Sequence, residues 1–497
     1  MLDQSKAPLL EQMIKHAKQN TKSFHVPGHK SGRTYESSIA YPYFASIMPL
    51  DLTEITGLDD LHDPNGVILE AQSLAAELFG ADYTSFLVGG STSGNLAMIL
   101  SLCNPGDVMI VDREVHKSVI HGLMLAKAKA VFIDSAIDPN FGVPKGMRID
   151  MLEAAIQQYP EAKAVLLTNP NYYGLGQQLK PIVEIAHRFG MPVLVDEAHG
   201  AHYGFHPRLP DRALSEGADA VVQSPHKMLT AMTMSGMLHI KGDRVNYKKT
   251  ARALSMIQSS SPSYPILASM DWTRKVMAEQ GYELISKGLE AVDCFRNKMR
   301  ALHCFSLNSL DVPSPYTQDP FKILIKDNTG TLNGRQLQEE LEKRGCFMEM
   351  SQSDFVLAVF TLASTLEDAE HLYLSLKDIQ EKFDLNNREF CSSSNGKNDE
   401  RTDQIYGQQN NNRPHVPPAI DFGFHDSEEF EIVELAIDEA VGRRSYRAVT
   451  PYPPGVPILF PGEWITEHKV TEIKRLLKQR VNFQGLRING NVMIETY

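Results

Sequence analysis

The sequence predicts an α/β fold: a large domain with a mostly parallel sheet covered on both faces, plus smaller α+β C-terminal domains. Three observations carry this. Apolar, β-rich runs recur between Asp51 and about Met270, at Asp107–Val111, Ala130–Ile133, Ala164–Thr168, Pro192–Asp196, Asp219–Gln223 and Gly236–Ile240. They are unbroken rather than alternating, the pattern of strands buried on both faces. Helix-like segments lie between several of them, the rhythm of a parallel sheet. The length, 497 residues, exceeds what one hydrophobic core serves, so two or three domains are expected.

Taken in order, residues 1–50 read as an amphipathic helix followed by an irregular loop, FHVPGHKSG at Phe24–Gly32, whose glycines and proline break regular structure. The start has no apolar h-region, so it is no signal peptide. Residues 51–275 form the large domain. Within it Val67–Phe79 carries apolar residues at helical spacing and ends at Gly80, a helix stop. Pro181–Phe189 lies between two of the strands. A long helical stretch from Tyr264 to Leu302 leads into a small α+β region, residues 276–385. Asn386–Arg413 has almost nothing to bury and reads as a disordered linker. Residues 414–497 recover apolar content, with YPPGVPILFPGE at Tyr452–Glu463 and an amphipathic helix near Thr466–Lys478. Val470, Ile473 and Leu477 would share one face of that helix.

Composition narrows the function. The net charge of −12 disfavours nucleic acid and anionic membrane as partners. Five widely spaced cysteines without a CxxC pair argue against a disulfide framework and a structural zinc site. No apolar run reaches bilayer length. The expectation is a cytoplasmic protein with no metal.

The chemistry-bearing residues lie at predicted strand ends. Asp196 closes PVLVD, and Lys227 follows DAVVQ in SPHKML. Both fall past carboxyl ends, where open α/β sheets bind ligands. A desolvated lysine there can link covalently to an aldehyde cofactor, and an ionised aspartate can pair with a protonated pyridine nitrogen. The segment Gly89–Asn95, reading GGSTSGN, follows the apolar run SFLV and opens a helical pattern. Hydroxyls and backbone N–H groups at such a helix start hold an anion. His116, in DREVHKS after DVMIV, could lie flat against a cofactor ring. Taken singly these are a helix cap, a solvated lysine, a Ser/Thr cap and a buried histidine.

Together the blocks FHVPGHKSG, ITGLDDLHDP, VGGSTSGN, DREVHKS, TNPNYYG, VLVDEAHGAH, QSPHKM, SSSPSYPILASMD and YPPGVPILFPGE resemble the Orn/Lys/Arg decarboxylases of the aspartate-aminotransferase-like fold, fold type I of the enzymes dependent on pyridoxal 5′-phosphate (PLP). The chain looks most like the short bacterial members without the N-terminal wing domain. The resemblance implies PLP as cofactor and a basic amino acid, arginine, lysine or ornithine, as substrate, converted to its amine and CO2. It implies a homodimer with shared active sites, for which FHVPGHKSG is a candidate to line the pocket, from its own or the partner chain, with loop packing as the alternative. By position, Lys227 resembles the Schiff-base lysine, Asp196 the partner of the pyridine nitrogen, Ala198 the small residue under the ring and His116 the histidine on its other face. Ser91 and Thr92 resemble the phosphate-cup hydroxyls, with Ser224 and His226 as further phosphate-side ligands. Ser260 and Ser261 resemble residues approaching the neighbouring subunit's phosphate. Many relatives read Gly-Thr-Ser or Gly-Thr-Thr where this chain has Gly90, Ser91 and Thr92.

Lys227 or His226 would protonate the α-carbon. A distal cation needs an acceptor, for which Asp59, Asp60, Glu439 and Glu463 are candidates, helix capping being the alternative for the first two. Two other readings compete. One is another fold type I reaction such as transamination, for which Arg443 or Arg444 would clamp the α-carboxylate. The other is a non-catalytic PLP-binding regulator.

Overall fold

A computed structural model describes residues 2–19, 22–390, 416–423, 431–452, 456–478, 481–489 and 491–497. Its centre is an eight-stranded sheet. The strands are β1 (Tyr83–Leu87), β2 (Val108–Asp112), β3 (Lys129–Ile133), β4 (Val165–Thr168), β5 (Val193–Asp196), β6 (Ala220–Gln223), β7 (Gly236–Ile240) and β8 (Ile420–Asp421). Their order across the sheet is β1-β7-β6-β5-β4-β2-β3-β8. The ladder from β6 through β5, β4 and β2 to β3 is parallel. β7 runs against both β1 and β6, and β8 against β3.

Alternation along each strand separates two cores. Met109, Val111, Leu166, Leu194 and Val222 face one side, where they meet the helices Gly90–Leu102, Lys117–Ala126 and Tyr247–Ile257. Val108, Ile110, Val165, Leu167, Val193, Val195 and Val221 face the other, under the helices Ile149–Gln158 and Lys180–Arg188. Because successive side chains point to opposite faces, burial on both sides requires the unbroken apolar runs that the sequence shows.

The helix Gly90–Leu102 is seated through Gly94. A Cβ there would stand 2.4 Å from Val222 Cγ2 and 3.0 Å from Leu87 Cδ1. Gly94→Ala should therefore destabilise the fold by about 1–3 kcal/mol, the usual cost of overpacking. Thermal or denaturant unfolding checks this, and an unchanged midpoint would refute it.

The long helix spans Tyr264–Met299. It carries a fully buried pair, Arg274 Nη2 to Asp271 Oδ1 at 2.8 Å. Asp271 Oδ2 accepts the Leu9 N–H at 3.0 Å, near the start of the N-terminal helix Pro8–Lys18. This acceptor satisfies an orphan N–H and fixes that helix against the long one. Beyond it stands a four-stranded antiparallel sheet in the order Phe305–Leu307, Lys322–Asp327, Phe355–Val359, Met350–Ser351, packed with the helices Gly334–Glu342 and Leu366–Lys382.

The expected linker lies outside the described residues from 391 onward, and Pro453–Gly455 of YPPGVP lie outside them too. The C-terminal helix is Glu467–Lys478, with Val470, Ile473 and Leu476 buried. Leu477, expected on that face, is only partly buried at its edge.

The segment PILFPGE returns to the large sheet. Phe460 stacks on Phe132 at 4.1 Å, and the Arg113 guanidinium lies 4.8 Å above the Phe460 ring. Glu463 accepts from Arg113 at 2.8 Å and pairs with Lys469. Burial alone would raise the Glu463 carboxyl, but Arg113 and Lys469 outweigh it and hold the group below its ordinary value. Its contribution is thus present above the unfolded-state value and is lost as pH falls through the lowered one. Glu463→Gln leaves two largely buried cations short of a counter-charge. It should cost on the order of 3 kcal/mol in unfolding free energy, and a loss that stayed the same in acid would argue against this origin.

Candidate active site

The parallel strands deliver their carboxyl ends to one edge, and the site is built there. Asp196 ends β5, and Lys227 sits on the one-turn helix Pro225–Met228 after β6. A cleft at this edge is lined by Ser91, Glu114, His116, Thr168, Asn171, Tyr172, Tyr173, Asp196, Ala198, His199, Lys227 and Val456. Its empty volume, open mouth included, is about 580 Å³. Five of the residues expected from sequence meet in it: Ser91, His116, Asp196, Ala198 and Lys227. Three stand beside it rather than on its wall. Thr92 is exposed next to Ser91, Ser224 is fully buried, and His226 meets the Ser235 carbonyl through Nδ1 at 2.9 Å.

Asp196 is fixed by two donors. Its Oδ1 accepts the Ala198 N–H at 3.1 Å, and its Oδ2 accepts from Asn95 Nδ2 at 2.8 Å. The same Asn95 nitrogen donates to Ser118 Oγ at 2.9 Å, and Ser118 Oγ lies 2.8 Å from His116 Nδ1. The Ser118 N–H also points at His116 Nδ1, at 3.2 Å. Nδ1 is therefore an acceptor, which places the proton of the neutral ring on Nε2. Burial pulls His116 down to about 4, against the pull of Asp196, so the ring is uncharged at neutral pH. Asn95 and Ser118 thus tie Asp196 to His116.

Lys227 is largely desolvated. Burial lowers its ammonium below the ordinary lysine value, against Asp196 and Glu349. Its Nζ stands 3.1 Å from His199 Nε2 and 5.5 Å from the centre of the Tyr172 ring. The Tyr172 and His199 ring centres are 4.4 Å apart. Glu114, also on the wall, is pushed up to about 8 by burial and by Asp112.

The residues fit an aldehyde cofactor bearing a phosphate. β7 lies flush against the start of the helix Gly90–Leu102: a Cβ on Gly236 would stand 2.9 Å from the Gly90 carbonyl carbon and 3.0 Å from Ser91 N. That packing presents a rigid helix N-terminus to the cleft. Ser224 Oγ is buried without a protein partner, which suits a further acceptor.

Family models match two stretches of the chain. The Orn/Lys/Arg decarboxylase major domain matches residues 7–368, and the C-terminal domain of the same family matches 408–485. The chain belongs to the Orn/Lys/Arg decarboxylase family. It is an amino-acid decarboxylase of a PLP-dependent family. It is 38% identical over 486 residues to an uncharacterised Bacillus subtilis protein, YaaO, covering 96% of each chain. It is 35% identical to an arginine decarboxylase of Halalkalibacterium halodurans, covering 98% of this chain and 96% of that one. The lysine decarboxylase LdcF of Francisella novicida superposes with a TM-score of 0.82 at 21% identity, over 99% of this chain and 81% of the other. That likeness shows the fold type I architecture.

Other residues singled out for this decarboxylase lie away from the cleft wall. Asp59 caps the helix Val67–Phe79, its Oδ2 accepting from Gly66 N at 2.8 Å and Ile68 N at 3.0 Å. Asp60 accepts the His62 N–H. Glu463 is held by Arg113 and Lys469, and Glu439 is exposed. Arg443 is exposed, whereas Arg444 packs 4.7 Å over Trp464. Ser260 and Ser261 are exposed, and no residue of Phe24–Gly32 lines the cleft of its own chain. Asn95, Ser118, Tyr172, His199 and Glu114 lie within the family-like sequence blocks, but their part in the site depends on which residues they touch, and that carries no sequence signal.

Proposed function

We propose that this protein uses PLP to decarboxylate a basic amino acid to its amine and CO2, with arginine the first substrate to test. The observation that carries the reading is one cleft gathering Lys227, Asp196, His116, Ala198 and Ser91 at the carboxyl ends of the parallel strands. Arginine comes first because of the identity to proteins named arginine decarboxylase. PLP, when bound, supplies the electron sink that lets the carboxylate leave as CO2.

The chain's own residues then have distinct tasks. Lys227 would hold the cofactor, and Asp196 would supply the charge for its ring nitrogen. His116 and Ala198 would pack against its ring. Ser91, Thr92, Ser224 and His226 take the phosphate side. Lys227 carries the proton to the α-carbon, since it lines the cleft and His226 does not. Glu114 is the carboxyl on the wall, besides Asp196, that is left to meet a distal cation. Residues 51–275 form the domain that holds the cofactor, 276–385 a small domain whose Lys322 reaches His199, and the C-terminal domain contributes Val456 to the cleft wall.

We further propose a cytoplasmic homodimer. The N-terminal loop leaves Phe24 96%, Ile39 91% and Tyr43 80% exposed in the single chain, apolar surface that a second copy would cover. Among the described residues no helix is long and apolar enough to cross a membrane.

The test is a panel of arginine, lysine and ornithine with PLP, measuring CO2 against keto acid. CO2 with a matching yield of amine supports the reading. Keto acid without CO2 would replace it by transamination, and inertness toward all three, with PLP bound, would favour the regulator.

A further inference from the structure

A second lysine approaches the site from the small antiparallel sheet. Lys322 opens the strand Lys322–Asp327 and is fully buried. Its Nζ lies 3.3 Å from His199 Nδ1, while Lys227 Nζ lies 3.1 Å from His199 Nε2. One imidazole therefore bridges two lysines. The fold makes room for this contact. The pairing of Tyr316–Gln318 with Leu175–Gln177 brings the Lys322 segment beside TNPNYYG. Asp319 N–H donates to the Gly174 carbonyl at 2.8 Å. Gly174 has a φ of 79°, and a Cβ there would stand 2.6 Å from Lys322 Cβ. Only glycine accommodates both that backbone and that neighbour.

Proton counting gives the arrangement its meaning. A neutral imidazole accepts at one nitrogen and donates at the other. It can accept from one lysine ammonium, but its own N–H then needs a lone pair on the other lysine. The two contacts are satisfied together when one lysine is charged and the other is a free amine. A charged imidazole is disfavoured, because burial and then Lys227 and Lys322 hold His199 well below its ordinary value.

We propose that Lys322 is a positioning residue that sets the protonation of Lys227 through His199. In the step, Lys227 Nζ gives a proton to His199 Nε2 while His199 Nδ1–H passes to the neutral Lys322 amine. Lys227 ends as a free amine, Lys322 as an ammonium and His199 neutral with its tautomer exchanged. Reversal returns the proton. No other reactant is needed.

Among the described residues, the charged and titratable groups around the relay include Tyr172, whose ring centre lies 4.4 Å from that of His199 and 5.5 Å from Lys227 Nζ. Asp319, Glu349 and Lys227 act on Lys322; burial dominates them and brings it down to about 8, where both forms are accessible. Asp196 and Glu349 act on Lys227. His116 and His226 act on His199 in addition to the two lysines. The consequence for catalysis rests on Lys227 being the cofactor's lysine, but the relay itself is measurable without cofactor.

The test is competitive labelling of apoprotein with trace acetic anhydride across a pH series, quantifying Lys227 by peptide mass spectrometry. Lys322→Met removes the second lysine, so His199 can serve as a pure acceptor and Lys227 becomes more basic. Lys322→Arg stays charged and occupies Nδ1, which puts the ring proton on Nε2 facing a free Lys227 amine, so Lys227 becomes less basic. Opposite shifts of about half a pH unit or more are expected, roughly threefold slower and faster labelling at a fixed pH. Shifts in the same direction, or none, overturn the proposal. Thermal melting monitors folding. If Lys322→Arg does not fold, His199→Phe carries the test: Lys322→Met must then move Lys227 by less than half as much as it does with His199 present, and an undiminished effect overturns the relay. Failure of the wild-type protein to bind PLP, with the opposite shifts intact, would instead count against the cofactor reading alone.

Discussion

Lys227→Ala is expected to lower decarboxylation by at least about three orders of magnitude, the scale of losing a covalent nucleophile. Added PLP should no longer become attached to the chain by borohydride reduction. The fold should survive. Lys227 is held near Asp196 in a desolvated place, and burial keeps its ammonium below the ordinary value. In the unfolded chain the same amine binds its proton more tightly. Protonated Lys227 is therefore a cost to folding at neutral and acid pH, relieved only as pH rises toward the ordinary lysine value. Removing the amine should leave the melting temperature at neutral pH unchanged or higher, with wild type recovering relative to the variant in alkali. Activity lost together with stability would point to a structural lysine. Activity within tenfold of wild type would remove Lys227 from the chemistry.

What could be read from the sequence divides along a physical line. The strands were legible because burial on both faces forces unbroken apolar runs, and Val67–Phe79 because Gly80 ends it in a left-handed turn, φ 78°. Asp196 and Lys227 could be placed because a strand's carboxyl end is fixed once the strand is. The reversed direction of β7 was not legible. Its apolar run is like its parallel neighbours', and direction follows from the path of residues 224–235. Carboxylates stayed ambiguous for a related reason: Asp59 and Glu463 are acidic in either role, and only structure shows the first capping a helix, the alternative left open for it, and the second held by Arg113 and Lys469. Lys322 carries no local signal at all. It reaches His199 through strand pairing between segments far apart in the chain.

Asp196→Asn tests the electrostatic half of the site with almost no change of shape. The carboxylate now accepts from Ala198 N–H on one oxygen and from Asn95 Nδ2 on the other. An amide can keep one of these, but its NH2 group then faces a donor. Asn95 Oδ1 is buried without a partner, so Asn95 can turn over and accept from the new amide. Its Nδ2 would then leave Ser118, loosening the chain that orients His116. On the proposed roles, the substitution would thus remove the charge meant for a protonated cofactor nitrogen and would also disturb His116. A fall in kcat of about 10³–10⁴-fold is expected, the upper end being the loss seen when a catalytic triad's aspartate becomes asparagine. Unfolding free energy should change little, since a buried charge is replaced by a neutral group of the same volume. Ser118→Ala separates the two effects. It breaks the link to His116 but leaves Asp196 charged and still bonded to Asn95, so its loss should be far smaller than that of Asp196→Asn. Equal losses would show that the aspartate works by holding His116 rather than by its charge.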